Sequence, residues 1–388
     1  MVALPLSIAI AIASGAPPAA GLVTAVIGGL IVSALGGSRV QIGGPTGAFI
    51  VVVYGIIQQF GFDGLLLATL MAGVILIIGA VVRAGRLIAL IPEPVIEGFT
   101  IGIAVIIAVS QLKDLLGESI AQMPAEFVEI VPVLWSAKGT INVAALAIGL
   151  STIVLILMLR RWTPRIPGSI LAIAIASGAV SLLVLPVDTL HSRFGSLPNG
   201  IPMIALPPMS AELLIALLPS ALVIAFLAGV ESLLSAVVAD RMIGGAHRSD
   251  AELLAQGAAN IASPLFGGLP VTGAIARTAT NVRAGGRTPI AGIVHALTIL
   301  VVIVAAAPLA AYLTMPALAG LLIVTAWTMS EPDRWPERLR ASASDRILLF
   351  LTFGLTVLSS LTVAIAVGTA LGLAIQLQKR ILASDSCP

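Results

Sequence analysis

Long apolar runs dominate this chain, separated by short polar or Gly/Pro-rich breaks. A membrane-spanning helix needs roughly 20 apolar residues, and runs of about that length recur from one end to the other. They predict fourteen elements, at about 1–15, 20–36, 40–58, 64–82, 94–111, 140–159, 167–185, 211–238, 250–264, 268–283, 288–307, 316–329, 345–358 and 361–378. Two of these, 250–264 and 316–329, are short for a straight crossing. Two others, 40–58 and 268–283, carry related helix-breaking motifs. The first reads Gly43-Gly44-Pro45-Thr46-Gly47-Ala48, the second Gly267-Gly268-Leu269-Pro270-Val271-Thr272-Gly273-Ala274.

Composition narrows the class. The 388 residues are 59% hydrophobic and only 10% charged, against about 25% charged in a soluble domain. That balance predicts an all-α polytopic membrane protein, with no room for a separate soluble domain. A net charge of +2 gives no support to a nucleic-acid partner. The one cysteine, Cys387, rules out an internal disulfide and a cysteine metal cluster. Met1–Gly15 lacks the basic start of a signal peptide and reads as the remainder of a first membrane helix whose leading residues are missing.

The basic residues orient the spans. With a cytoplasmic N-terminus and strict alternation, sixteen of the twenty Lys and Arg fall on the cytoplasmic side, Arg86, Arg165, Lys379 and Arg380 among them. Lys113, Lys138 and Arg193 fall outside, and Arg277 lies within a span. The positive-inside rule predicts this bias. The expectation is a multi-pass protein of the cell membrane with both termini cytoplasmic. In the outer loop, Pro124–Val131 reads as a short surface helix. Ser330–Ser344 is the main cytoplasmic link.

The chain also repeats itself. Pro45 matches Pro270, Thr46-Gly47-Ala48 matches Thr272-Gly273-Ala274, and Pro94-x-x-x-Gly98 matches Pro316-x-x-x-Gly320, at nearly constant offset. Repeat 1 covers about 1–185 and repeat 2 about 211–380. Seven spans per repeat is odd, so the repeats must be inverted. Interrupted helices in corresponding halves are the best sequence pointer to a transporter's binding site.

The motifs carry a candidate site. Proline lacks an N–H and disfavours helix in the residue before it. A short extended stretch, then a helix starting near Thr46 and near Thr272, is therefore expected. Such helix starts expose N–H groups and partial positive charge, and together they suit an anion. Thr46 and Thr272 either cap these helices or donate hydroxyls to a ligand. Arg277 is the one basic residue inside a predicted span, where an arginine costs about 2.5–3.5 kcal/mol on insertion scales. It either steadies the anion, snorkels to the interface or ties to a neighbouring helix. Glu231, roughly 13 Å from the end of its span at helical rise, has three readings: a structural ion pair with Arg277, a proton-coupling group, or a substrate contact. Ser232 and Ser235 read as packing residues. His191 and His247 read as solvated, and His295 as a satisfied polar group. Glu93 and Glu97 suit a helix start, and the Gly98/Gly102 and Gly368/Gly372 pairs suit close helix packing. No P-loop, metal spacing, cofactor motif or nucleophile–base pair is present, which argues against an enzyme.

At these residues the chain resembles the sulfate permease (SulP) family, the bacterial relatives of the solute carrier family 26 anion transporters. The resemblance is carried by Val2-Ala3-Leu4-Pro5-Leu6 with Ala13-Ser14-Gly15, by the Gly43–Ala48 motif, and by Pro92-x-Pro94-Val95-Ile96-x-Gly98-Phe99-Thr100. Glu231-Ser232-Leu233-Leu234, Asp240-Arg241, Glu252-Leu253-x-x-Gln256-Gly257-x-x-Asn260 and Pro270-Val271-Thr272-Gly273-x-x-x-Arg277-Thr278 extend it. It implies fourteen transmembrane segments as two inverted seven-helix repeats, the uracil-permease-like fold. A core domain, about 1–82 and 211–307, would move against a gate domain, about 94–185 and 316–380. It implies an anion site on Gly47, Ala48, Gly273, Ala274 and Arg277. The implied substrates are sulfate, bicarbonate or dicarboxylates, with a proton or other ion as a co-transported partner. A passive anion channel and a nucleobase-type carrier are the alternatives. The family's C-terminal cytoplasmic STAS domain is absent from the sequence. The homodimer that the resemblance implies is expected of the full-length protein.

Overall fold

The computed structural model describes residues 3–85, 92–120, 123–124, 126–162, 168–195, 200, 202–359 and 361–385. Val2, Arg86, Arg165 and Cys387, and the side chains of Lys379 and Arg380, lie outside the described residues. The described residues are mostly helical. In the first half α1 covers Ala3–Ala13, α2 Pro18–Leu35, α3 Ile50–Val81, α4 Glu93–Ser110, α5 Leu112–Leu116, α6 Phe127–Ala137, α7 Val143–Trp162, α8 Gly168–Leu183 and α9 Leu190–Phe194. In the second half α10 covers Ala211–Ile243, α11 Ser249–Leu265, α12 Ile275–Arg283, α13 Ile290–Ala310, α14 Met315–Met329, α15 Trp335–Arg340, α16 Ala343–Leu358 and α17 Leu361–Asp385.

The pattern of exposure is that of a protein solvated by lipid. On α13 the exposed residues Val294, Leu297, Val301 and Val304 form an apolar stripe at helical spacing. On α7 Leu150, Val154, Leu157 and Met158 do the same. Five helical stretches among the described residues are long and apolar enough to cross a bilayer by length and composition: Pro18–Leu35, Gly47–Val81, Glu93–Leu116, Val143–Trp162 and Ala211–Ile243.

Spans predicted at 40–58 and 64–82 are joined in α3. Gly61, at φ 73° and ψ 179°, breaks the helix there in a conformation open to glycine and costly for other residues. The surface helix predicted at 124–131 is α6, and the link over 330–344 carries α15 after a 3₁₀ turn at Pro332–Arg334.

The helices pack in two sets. In one, α3 lies against α10 and α11, and α2 against α1, α11 and α13. In the other, α4 lies against α14 and α16, and α7 against α8 and α14. Small residues set the close crossings. A Cβ on Gly73 would stand 2.8 Å from the Gly257 carbonyl oxygen, and one on Gly98 would stand 2.3 Å from that of Leu349. The Gly98/Gly102 and Gly368/Gly372 pairs do pack closely, the first against α16 and the second against Thr352, Val95 and Pro92. Glu93 and Glu97 are structural. Arg334 reaches Glu93 at 2.8 Å and Glu97 at 3.1 Å, and Arg338 reaches Glu97 at 3.0 Å, tying α4 to the 330–344 link.

Candidate functional site

The two broken motifs meet. Gly43–Gly44 and Thr272–Gly273 form a short antiparallel bridge, β1 with β2, in which Gly43 faces Gly273 and Gly44 faces Thr272. All four residues are buried. Extended backbone inside a bilayer needs internal partners, and side chains from four helices supply them. Asn260 of α11 acts like a neighbouring strand: its Nδ2 donates to the Val271 carbonyl at 2.8 Å, and its Oδ1 accepts the Val271 N–H at 2.9 Å. Ser263 donates to the Leu269 carbonyl at 2.8 Å. Thr24 of α2 accepts the Leu269 N–H at 2.6 Å. Ser232 of α10 accepts the Gly273 N–H at 2.8 Å. In the first half, the Ile42 N–H donates to Thr278 at 3.1 Å, and Asn281 donates to the Val40 carbonyl at 2.9 Å.

The first helical stretch starts where expected, directly after Thr46, and the second starts three residues past Thr272. After the bridge, Gly47–Phe49 forms a 3₁₀ turn and α3 begins at Ile50, while α12 begins at Ile275 with Ala274 before it. Neither threonine caps a helix. Thr46, 8% exposed, donates its hydroxyl to Oε2 of Glu231 at 2.9 Å. Thr272, fully buried, donates to the Ala228 carbonyl at 3.2 Å and lies 3.0 Å from the Ser232 hydroxyl. Ser232 and Ser235 therefore do more than pack: Ser235 bonds Thr278 at 3.2 Å.

Arg277 sits one turn into α12 and reaches back across the bridge. Its Nη2 donates to the Pro45 carbonyl at 2.9 Å. Its Nη1 is buried with no hydrogen-bond partner. A Cβ on Gly44 would stand 2.7 Å from this nitrogen, so glycine is what admits the guanidinium. Arg277 and Glu231 form no salt bridge among the described residues. They hold adjacent residues instead, Arg277 the backbone of Pro45 and Glu231 the side chain of Thr46. The two charges act on each other through space and not by direct contact.

Further unpaired donors stand at the helix starts. The N–H groups of Gly47 and Ala48, and of Ile275 and Ala276, find no acceptor among the described residues, as the first turn of a helix dictates. Gly47 lies against the second helical set: a Cβ there would meet the Met329 sulfur at 3.0 Å and Ile107 at 3.7 Å. Gly273 and Ala274 are buried on the other side, with the Ala274 N–H on the Ile42 carbonyl at 2.9 Å.

Two histidines also depart from expectation. His247 is not solvated: its Nδ1 lies 2.7 Å from Asp240 and its side chain is 10% exposed. Buried Nε2 of His295 has no hydrogen-bond partner. The most informative residue passed over in the sequence is Asn260. With Glu252 and Gln256 it forms a buried polar line at four-residue spacing on α11, and that spacing inside an apolar run was the available signal.

Two interrupted helices, joined through their broken stretches inside a lipid-facing bundle, define a polytopic membrane protein built around a central polar site. The chain belongs to the Sulfate permease family, whose profile matches residues 1–352. It is 42% identical over 373 residues, 96% of this chain and 70% of the other, to YvdB of Bacillus subtilis, provisionally named a sulfate transporter. It is 31% identical over 379 residues, 95% of this chain and 66% of the other, to the bicarbonate transporter BicA of a Picosynechococcus species. The solved transmembrane domain of a cyanobacterial bicarbonate transporter BicA superposes with TM-score 0.84 at 28% identity, covering 96% of this chain and 93% of that one. Murine Slc26a9, at 18% identity and TM-score 0.86 over 97% of this chain and 66% of that one, shares the fold. The chain spans about two thirds of the length of the curated relatives it matches. This is a family of membrane transporters, and the protein is not an enzyme.

Proposed function

We propose that the protein is a secondary active transporter of small oxyanions of the sulfate, bicarbonate or dicarboxylate class, bound beside the β1–β2 bridge. The observation that carries the reading is Nη1 of Arg277, a buried donor without a hydrogen-bond partner, on a guanidinium that holds Pro45, two residues before the unpaired N–H groups of Gly47 and Ala48 begin. A buried charge of this kind is normally paired, and an oxyanion supplies the acceptors. The names of the sulfate and bicarbonate transporters among the relatives support the same class. In this reading the set built on α1–α3 and α10–α13 is the core domain. The set built on α4, α7, α8, α14, α16 and α17 is the gate. The two halves are inverted repeats, with both termini cytoplasmic. Met329 and Ile107 are where the gate touches the site. Rigid movement of core against gate exposes the anion to each side in turn.

Glu231, held by Thr46 at the same locus, is the proton-coupling group of this scheme. Uptake of radiolabelled sulfate, bicarbonate and oxalate by proteoliposomes, with and without an inward proton gradient, tests it. Accumulation above equilibrium that Glu231→Gln uncouples from the pH gradient is the expected result. Uptake that only equilibrates, with large unitary currents, indicates a channel. Competition by uracil and not by anions indicates a nucleobase carrier. Either outcome overturns the proposal.

A further inference from the structure

The chain that leads from α9 into α10 carries no charge. From Phe194 to Ala211 the sequence holds no Asp, Glu, Lys, Arg or His. Residues 202–209 of this stretch are neither helix nor strand, and their apolar side chains stand open. Met203 is 91% exposed, and Ile204, Leu206 and Met209 are each more than half exposed. An uncharged apolar patch of this kind marks a contact surface. It runs on into α10, where Leu214, Ile215, Leu218 and Leu222 are exposed along one side of the helix. That is the same lipid-facing pattern that α7 and α13 show.

The helix lengths set the depth of this stretch. Asp240 and Arg241 near the end of α10, with Arg248 and Asp250 at the start of α11, mark one membrane surface. The 17 residues of α11 measure about 25 Å at helical rise. At any tilt, Leu265 at its far end is then no more than about 25 Å from that surface, inside a hydrocarbon core about 30 Å thick. The Ala205 N–H donates to the Leu265 carbonyl at 2.9 Å, so the segment hangs just beneath the opposite boundary. The 33 residues of α10 measure about 50 Å, enough to carry its capped start at Ser210 and the exposed Glu212 out to that opposite surface.

The backbone agrees with this level. Pro202, Pro207 and Pro208 have no N–H to satisfy. The N–H groups of Met203, Ile204, Leu206 and Met209 find no acceptor among the described residues. Deep in hydrocarbon nothing would pair them. At the boundary, water and lipid ester groups do, while the side chains reach the acyl chains.

We propose that residues 202–209 form a membrane-interfacial anchor. Met203, Ile204, Leu206 and Met209 insert among the lipid acyl chains of the leaflet on the side where α10 begins. The anchor lies on the connection between the two helical sets. Before it, Thr189 pairs with Thr314 and the Leu190 N–H bonds the Leu313 carbonyl, at the start of α14. Within it, Ala205 is tied to the end of α11. The bilayer therefore grips the link across which one set would move against the other.

The test uses the full chain with Cys387→Ser and one new cysteine, Met203→Cys or Leu206→Cys, labelled with an environment-sensitive fluorophore. Ala246→Cys, in the exposed turn after α10, is the solvated reference. Each protein is placed one copy per phosphatidylcholine nanodisc. The discs carry a nitroxide either at the ester end or at the methyl end of the acyl chain, and iodide serves as the aqueous quencher. Emission at Met203→Cys and Leu206→Cys should be blue-shifted from the reference, little quenched by iodide and most quenched by the ester-end nitroxide. Both side chains are exposed, so neither substitution disturbs packing. Emission and iodide quenching equal to the reference would mean a solvated loop and overturn the anchor. A blue shift seen only when discs hold two copies would assign the patch to a second chain. Strongest quenching from the methyl-end nitroxide would refute the interfacial depth.

Discussion

Replacing Arg277 separates the two jobs of its guanidinium. Nη2 holds the Pro45 carbonyl at 2.9 Å, which is structural, whereas Nη1 is buried and unpaired, which is where the anion is placed. Glutamine keeps an NH₂ group able to reach a carbonyl but loses the charge and the second donor. Alanine loses both and leaves the Pro45 oxygen without a donor, which adds about 1–3 kcal/mol of instability. A hydrogen bond to a charged group contributes about 1.5–3 kcal/mol, and each 1.4 kcal/mol is tenfold in affinity. Arg277→Gln should therefore raise the KM for sulfate or bicarbonate uptake by about 10- to 150-fold while the unfolding midpoint stays near that of the parent. Arg277→Lys, which restores a point charge without the planar fork, should fall between them. Uptake in proteoliposomes over a wide range of substrate concentration, with melting curves on the same preparations, is the measurement. A folded Arg277→Gln protein with parental KM would remove Arg277 from the site and leave it a structural tie.

Three further outcomes follow from the packing. Asn260→Ala leaves both polar groups of Val271 unpaired in the interior; at about 1–3 kcal/mol each it should lower the unfolding midpoint sharply, and hydrogen exchange should quicken across 266–274. Gly257→Ala puts a methyl 2.6 Å from a side-chain carbon of Ile77 and 2.8 Å from the Gly73 carbonyl oxygen. Overpacking of this kind costs about 1–3 kcal/mol, visible as a lower denaturation midpoint. On the 330–344 link, Arg334, 42% exposed, should tolerate alanine within about 1 kcal/mol. Arg338, only 5% exposed and paired to Glu97 and Glu331, should lose about 3–5 kcal/mol on the same change. Equal effects at the two positions would refute the burial argument.

What the sequence made legible was what depends on local chemistry. Proline and glycine in Gly43–Ala48 and Gly267–Ala274 cannot continue a helix, and both stretches are extended in the fold. Local chemistry could not place the second helix start. Thr272 and Gly273 are used by the bridge to Gly44 and Gly43, so α12 waits until Ile275. Nor could it assign the hydroxyls. Thr46 finds Glu231, 185 positions away, and an approach of that kind exists only once α3 and α10 have packed. Asn260 was visible as a polar residue in an apolar helix, but its partner backbone at Val271 could not be read before the loop at 266–270 was seen to fold back along α11.

The hydrogen-bond lattice around the bridge leaves two remainders of opposite sign. Backbone groups of Leu269, Val271 and Gly273, and of Val40 and Ile42, are satisfied by α2, α10, α11 and α12. Unpaired donors collect at Arg277, Gly47 and Ala48, and unpaired acceptors at Gln41 and Gln256. Gln41 belongs to the acceptor group, yet its nitrogen lies against Gly273 and bonds the Ser232 carbonyl, while Ser232 holds the Gly273 N–H.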